Sequence, residues 1–246
     1  MKTLSKLVWP AVFAASALIS INASAAPVSF TANTPTWSGA VGGSDYVYNA
    51  ANGGFTDIRW GTPTNAPSGL GFNPTDTPFS TNPDDVFKLG DLRHYNKPIT
   101  ANTAATSVNL NLATTVAGAA PASQSFDFMF RIDETTNAYP CSYPTDPGKP
   151  CADRITFGNV DLTKFFAIGG INYTLQLIGF SNDGGATTLE YFDSQEGLNN
   201  TVGLYAKLTE AATQVPEPGS LALLGLGLAG LVAVSRRKQK SSGLAA

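Results

Sequence analysis

Few side chains in this 246-residue chain could carry out chemistry: one histidine, two cysteines and a scatter of carboxylates. His94 would need a serine or cysteine nucleophile in a recognisable turn, and the sequence contains no Gly-x-Ser-x-Gly. A lone histidine between predicted strands is more typical of a hydrogen-bonded structural residue than of a catalytic one. We therefore predict that the protein has no catalytic residues and is not an enzyme.

The carboxylates suggest a different chemistry, the binding of a hard cation such as calcium through oxygen ligands. Neither the EF-hand spacing nor a glycine-aspartate repeat is present. A glycosidase would need two carboxylates facing one cleft, a separation that sequence cannot establish. We predict no metal site and no cofactor, with calcium kept as a candidate ligand. The acidic groups considered are Asp84-Asp85, Asp133-Glu134, and the loop Asn182-Asp183-Gly184-Gly185 with Asp193 and Glu196. That loop is also typical of a hairpin turn, because its residues tolerate positive φ.

The elements that would position these groups are predicted to be almost entirely strands. Gln124 to Ile132 alternates cleanly, with three phenylalanines and Ile132 on one face and polar residues on the other. About ten such short segments, broken by Gly, Pro, Asn and Asp, predict an all-β fold, an antiparallel β-sandwich or a jelly-roll-like body. Leu162 to Ala167 comes nearest to a helix, with one turn. Thr62 to Pro83 and Asn137 to Pro150, both proline-rich, are predicted long surface loops. The remaining predicted strands are Val28–Ala32, Tyr46–Asn49, Phe55–Gly61, Leu70–Phe72, Val86–Leu89, Ser107–Leu112, Arg154–Phe157, Ile171–Leu177, Thr188–Phe192 and Val202–Leu208.

Both ends of the chain are typical of an exported protein. Residues 1–25 have the features of a signal peptide: Lys2 and Lys6, an apolar stretch from Leu7 to Ile21, and small residues at the cleavage site. We predict cleavage between Ala25 and Ala26, with Ala23 completing the recognition site; an uncleaved N-terminal anchor is the alternative. Export favours a disulfide between Cys141 and Cys151. Closing this loop would stabilise the fold by about 2–3 kcal/mol. Free or zinc-binding thiols are the alternative, although nine intervening residues and no adjacent histidine disfavour zinc.

The C-terminal segment from Val215 to Lys240 combines a Pro-Glu-Pro triplet, an apolar run and a basic cluster. As a helix, residues 219–235 would span roughly 25 Å, a short transmembrane helix. An interfacial helix, or a buried helix of a soluble domain, would be the alternatives. Positive charge beside a span stays in the cytoplasm, so the body would lie outside it.

The order of these three parts resembles the PEP-CTERM sorting signal of Gram-negative bacteria. The residues that carry the resemblance are Val215, Pro216, Glu217, Pro218, Arg236, Arg237 and Lys238. The resemblance implies that the secretion machinery exports the chain and that an inner-membrane exosortase cuts near the Pro-Glu-Pro. The inner membrane would then be a transient location before the cell surface or the extracellular space.

A second resemblance covers much of the body. Val86 to Gly90, followed by His94-Tyr95-Asn96-Lys97-Pro98-Ile99, is similar to the choice-of-anchor K domain, a Thr-His-x-Asn family of PEP-CTERM proteins. Arg93 stands where that family has threonine. Ile58-Arg59-Trp60-Gly61, and Phe192 to Glu196 with Asn199 and Asn200, resemble further segments of the family. The resemblance implies a surface β-domain without an assigned activity, and its motif residues here are Leu89, Gly90, His94, Asn96, Pro98 and Ile99.

These features predict a signal peptide (1–25), a β-sandwich domain (26–209), a tether (210–214), a sorting signal (215–240, with basic residues at 236–240) and a disordered tail (241–246). Between Ala26 and Gln214 lie 17 of the 18 acidic residues and 9 of the 15 basic ones, a net charge of about −8. Such a surface disfavours nucleic acid and anionic membranes.

For function, we expect a non-enzymatic surface or extracellular-matrix protein associated with exopolysaccharide or the cell envelope. The alternatives are a carbohydrate-binding module, suggested by Trp37, Trp60 and the tyrosines, and a secreted hydrolase.

Overall fold

The computed structural model describes residues 26–158 and 163–210, together with Gly227. The predicted signal peptide, most of the tether, the sorting signal apart from Gly227, and the tail lie outside the described residues. Ala23 and Ala25 of the predicted cleavage site lie outside them as well. In residues 26–158 and 163–210, no helix is long and apolar enough to cross a membrane.

The described residues form thirteen strands. In chain order these are β1 (Val28–Gly42), β2 (Val47–Asn52), β3 (Phe55–Trp60), β4 (Ser68–Pro74), β5 (Phe79–Thr81), β6 (Val86–Tyr95), β7 (Ala105–Val116), β8 (Ser123–Asp133), β9 (Asp153–Phe157), β10 (Thr163–Ile168), β11 (Ile171–Ser181), β12 (Tyr191–Ser194) and β13 (Asn199–Glu210). The strand β13 includes the first residue of the predicted tether.

The strands pair antiparallel in two sheets. Sheet A has the order β12-β9-β8-β7-β1-β5, and sheet B has the order β10-β11-β13-β6-β4-β3-β2. One hydrophobic core contains side chains from both sheets. This arrangement confirms the all-β antiparallel prediction and is consistent with a β-sandwich; the jelly-roll-like classification stays a prediction.

Period-2 alternation explains why these segments pair as they do. Leu110 of β7 lies opposite Phe128 of β8, and Val108 lies opposite Phe130. All four side chains are at most 1% exposed. Burying apolar area at about 25 cal/mol per Å² is the dominant stabilising contribution along such a strand pair, and a slip of one residue would turn these side chains outward.

Three predictions about local structure are wrong. The segment predicted to form a helical turn overlaps the strand β10, which pairs along its length with β11 and alternates between exposed Phe165 and buried Phe166. The predicted loop from Thr62 to Pro83 contains the unpredicted strand β5, whereas the strand predicted at Leu70–Phe72 within it is confirmed as part of β4. His94 lies inside β6 rather than between strands, because β6 continues to Tyr95 between β13 and β4.

Candidate functional site

Three acidic residues meet at one end of sheet A. Glu134 directly follows the end of β8, Asp153 begins β9, and Glu196 lies in the turn after β12. Since β9 pairs antiparallel with both β8 and β12, its first residue lies beside the last residues of its neighbours: Asp133 is opposite Arg154, and Ser194 is opposite Asp153. The topology therefore brings together carboxylates that are up to 62 positions apart in the sequence.

One carboxylate oxygen from each of these residues lies within 4.8 Å of the other two. We call Glu134, Asp153 and Glu196 the carboxylate cluster. Asp153 is fully buried and Glu196 is 4% exposed. With all three carboxylates ionised, each has one buried oxygen without a hydrogen-bond donor; a protonated Glu134 hydrogen-bonds to Asp153. Buried polar atoms are normally hydrogen-bonded, so three unpartnered oxygens at one place are unusual for a purely structural cluster.

The second oxygens of the two most buried carboxylates are held in place. The backbone N–H of Thr135 donates to Asp153 Oδ1 at 2.7 Å. The amide of Asn137 donates from Nδ2 to Glu196 Oε2 at 3.1 Å. These two donors fix the orientation of the carboxylates while leaving their other oxygens free.

Burial and mutual repulsion disfavour ionisation within the carboxylate cluster. Burial, followed by the charges of Asp153 and Glu196, raises the pKa of Glu134 above its usual range. Burial also raises the pKa of Asp153, against the hydrogen bond from Thr135, and the pKa of Glu196, against the hydrogen bond from Asn137. The cluster thus has two chemical options, to hold protons or to bind a cation.

The disulfide predicted between Cys141 and Cys151 is confirmed, and it closes the loop between Glu134 and Asp153. The Thr135 hydroxyl donates to the Cys151 carbonyl oxygen at 3.3 Å. Gln195 ties the same loop to the turn that carries Glu196: its Nε2 donates to the Pro150 carbonyl at 2.7 Å, and its Oε1 accepts from the Asp146 N–H at 3.1 Å. The predicted surface loop is therefore closed by the disulfide and hydrogen-bonded to the turn that carries Glu196.

The turn from Ser194 to Leu198 is anchored from the side of sheet B. Asn96 donates from Nδ2 to the Ser194 carbonyl at 2.8 Å, its N–H donates to the Leu198 carbonyl, and its own carbonyl accepts from Gly197. Asn200 donates from Nδ2 to Ser194 Oγ and to the Gln195 carbonyl, both at 2.8 Å. The asparagines singled out by the sequence therefore position Glu196.

The other residues of the choice-of-anchor K motif are not part of the carboxylate cluster. Leu89 and His94 are buried, and the ring centroids of His94 and Trp60 are 6.4 Å apart. Burial, and secondarily the Arg59 charge, lowers the pKa of His94 to about 3. A Cβ on Gly90 would lie 2.5 Å from Phe72 and from the Asn73 carbonyl. Pro98 is exposed, and Ile99 packs against the core.

Most acidic groups that the sequence suggested as calcium ligands have other partners. Asp193 binds Arg154, with Asp193 Oδ1 2.6 Å from Arg154 Nε and Asp193 Oδ2 2.8 Å from Arg154 Nη2. Asp183 accepts from the Ser181 hydroxyl and from the N–H of Thr187, and these hydrogen bonds lower its pKa to about 2. Gly184 and Gly185 have positive φ, as expected for the turn alternative. The remaining contacts are Asp84 to Lys207, Asp85 to Asn82, and Asp133 to the Tyr143 hydroxyl.

The sequence reasoning found Glu134 and Glu196 but missed Asp153. A signal was available: in the strand that begins at Asp153, this residue shares its face with Ile155 and Phe157, so period-2 alternation places a carboxylate on an inward face. An inward carboxylate on an apolar strand face is a buried polar group that needs a partner.

A second feature involves residues of β9, β11 and β12. The Arg154 guanidinium carbon is 4.1 Å from the ring centroid of Tyr143 and 3.8 Å from that of Tyr191. Arg154 and Tyr191 also line an open cavity of about 490 Å³, together with Phe157, Gln176 and Glu190. We call this space the arginine-tyrosine cavity. By contrast, Trp37 is 2% exposed and Trp60 is fully buried, so neither can stack on a sugar.

Comparison with known families adds information on the C-terminal segment. Residues 214–238 match the family described as the PEP-CTERM protein-sorting motif. The chain carries this motif. The PEP-CTERM motif implies an exported protein whose membrane-anchored precursor is processed by an exosortase. The match includes the Pro-Glu-Pro triplet and the basic residues 236–238 but not the β-domain. No curated protein matches the chain, and the choice-of-anchor K resemblance stays a prediction.

Proposed function

We propose that the mature protein is a non-enzymatic β-domain that acts at the cell surface or in the extracellular matrix, in association with exopolysaccharide. The PEP-CTERM motif carries this proposal, because it implies an exported and exosortase-processed chain. The carboxylate cluster supports a non-enzymatic role. Asp153 and Glu196 are at most 4% exposed, so a polysaccharide chain has no access to them as acid or base.

Processing is tested by mass spectrometry of the protein released by wild-type cells. We expect an N-terminus at Ala26 and loss of the apolar segment that follows Pro218. The same measurement in cells lacking the exosortase should show the tail retained. An intact tail in wild-type cells would refute processing.

The absence of catalysis is tested by incubating the purified protein with a panel of glycans and esters. We expect no turnover. Hydrolysis that disappears in Asp153→Asn would instead support the secreted hydrolase, since that substitution removes a carboxylate with little change in shape.

The arginine-tyrosine cavity favours a second candidate function, a carbohydrate-binding module. Tyr191 offers an aromatic surface, and the cavity is also lined by Gln176 and Glu190, whose side chains can bond sugar hydroxyls. Arg154 is already oriented by Asp193 and by the two tyrosine rings, so binding would cost little side-chain ordering.

Co-sedimentation of the purified protein with the exopolysaccharide of its host tests whether the arginine-tyrosine cavity is the site of sugar binding. A carbohydrate-binding module should sediment with the polymer and lose most of that binding in Tyr191→Ala. Tyr139→Ala is the matched control, because Tyr139 is 92% exposed but does not line this cavity. Equal binding by the two variants would exclude the cavity as the sugar site.

A further inference from the structure

We propose that the carboxylate cluster of Glu134, Asp153 and Glu196 is a calcium-binding site. This inference goes beyond the proposed function and does not depend on it. It rests on geometry together with three unpartnered buried oxygens, one on each side chain.

The spacing of the cluster suits a single calcium ion. Calcium binds oxygen at about 2.3–2.6 Å, so two ligands on opposite sides of one ion are separated by about 4.6–5.2 Å. The three ligand oxygens lie within 4.8 Å of one another, inside that limit. Three oxygens at this upper separation would each lie at most about 2.8 Å from a common centre, so small side-chain rotations would bring all three into contact with one ion.

The surrounding hydrogen bonds are those of a preorganised site. Ligating carboxylates are usually held by outer partners that fix their orientation. Here the Thr135 N–H holds one oxygen of Asp153, and the Asn137 amide holds one oxygen of Glu196. In both residues the other oxygen remains available to the ion.

The charge of the cluster is not balanced by the protein. Of the ion pairs formed within residues 26–158 and 163–210, none includes a member of the cluster. The Lys97 ammonium donates to the Gly197 carbonyl at 3.3 Å and forms no ion pair with the cluster. Ionisation of these carboxylates is opposed by burial and by their mutual repulsion, and a divalent ion bound among them would offset that repulsion.

The donor set favours calcium over other common cations. All three donors are carboxylate oxygens, which suit calcium and magnesium, whereas zinc prefers histidine and thiolate ligands. Magnesium sheds its water reluctantly, which disfavours it at a site as buried as Asp153 and Glu196. Calcium accepts irregular sites and completes its shell with water or carbonyl oxygens.

The test uses the full chain, purified in a mild non-ionic detergent because of its apolar C-terminal run and freed of metal with EGTA. Isothermal titration with calcium chloride should show one site, with a Kd of about 0.1–1 mM as in extracellular modules. At 100-fold excess over Kd, the unfolding temperature should rise by about 5–10 °C above its value in EGTA. Magnesium at the same concentration should give a smaller rise.

The decisive variant is Asp153→Asn, which keeps the shape and an oxygen for the Thr135 hydrogen bond. We expect it to lose at least about tenfold in calcium affinity, because outer-shell and ligand changes typically have effects of this size. In EGTA it should be as stable as the wild-type chain or more so, since burial already disfavours the charge that the substitution removes. A merely structural Asp153 would show the opposite result, a loss of stability in EGTA.

Two further variants keep the test decisive. Asp183→Asn is the matched control, because Asp183 belongs to the other loop that the sequence suggested for calcium; it should bind calcium like the wild-type chain. If Asp153→Asn does not fold, Glu134→Gln replaces it, since Glu134 is the least buried member. The proposal is overturned if the wild-type unfolding temperature is the same in calcium and EGTA. It is also overturned if the cluster variant that folds binds calcium as tightly as the wild-type chain.

Discussion

The disulfide between Cys141 and Cys151 offers a stability prediction whose size follows from the chain itself. The two residues are ten positions apart. For a closed loop of this length, the chain-entropy relation gives about 9 cal/mol per K, or about 3 kcal/mol at 25 °C. For a domain of this size, this corresponds to a fall of about 5–10 °C in the unfolding temperature.

The perturbation is the double variant Cys141→Ala/Cys151→Ala, compared with the wild-type chain in reducing agent. Cys151 is 2% exposed, so alanine leaves a small cavity there that reduction alone does not. Urea unfolding can be followed by fluorescence, because Trp37 and Trp60 are buried and report loss of the core. We expect the free energy of unfolding to fall in both samples, by about 3 kcal/mol in reduced wild type and slightly more in the variant.

The control is Gln195→Ala, which removes the two hydrogen bonds from Gln195 to the same loop but keeps the disulfide. It should cost about 1 kcal/mol, the usual net contribution of such bonds. If reduction leaves the midpoint unchanged, the loop does not need its covalent closure and the entropic reasoning is wrong. A loss in Gln195→Ala as large as that on reduction would assign the stability to packing of the loop instead.

Three further predictions concern stability, each measured by urea unfolding. His94 has a folded pKa of about 3, below its ordinary 6.5, so the unfolded chain takes up the proton first and stability is lost as the pH falls from 6.5 towards 3. Relative to His94→Leu, the wild-type chain should lose up to about 1.4 kcal/mol per pH unit in that range, and parallel pH profiles would contradict this. Asn96→Ala should cost about 1–3 kcal/mol, because it leaves the buried Ser194 carbonyl without its donor; it should also speed proteolysis within residues 194–198, and unchanged cleavage there would argue against the anchoring role. Gly71→Ala should cost about 1–3 kcal/mol, since its Cβ would lie 2.4 Å from Asp57 Oδ1; Gly53→Ala, whose Cβ would meet nothing within 4 Å but whose φ is positive, measures backbone strain without a clash.

The strands and the disulfide could be predicted from sequence because both depend on local patterns. Alternation along Gln124 to Ile132 marks a half-buried strand wherever that strand pairs. The disulfide follows from two cysteines in an exported chain. The strand β10 was harder, because Leu162, Phe165 and Phe166 have a spacing that a helix would also show. Its pairing with β11 outweighs that local pattern.

The candidate site depends on register between distant strands, which a single sequence does not show. Asp193 and Glu196 are three positions apart, yet one binds Arg154 across a strand pair and the other turns inward to Asp153. No local pattern separates the two carboxylates. The partners of each carboxylate are determined by the position of β9 between β8 and β12.

The position of β13 limits how the precursor can meet its processing enzyme. This strand runs between β11 and β6 in sheet B, and its last residue, Glu210, is still paired with Tyr173. Only six residue steps separate Glu210 from Pro216, so even a fully extended chain covers about 20 Å. While the precursor is anchored, the end of the folded domain therefore lies within about 20 Å of the Pro-Glu-Pro triplet. We expect residues inserted between Glu210 and Pro216 to lengthen this distance and to change the rate of processing.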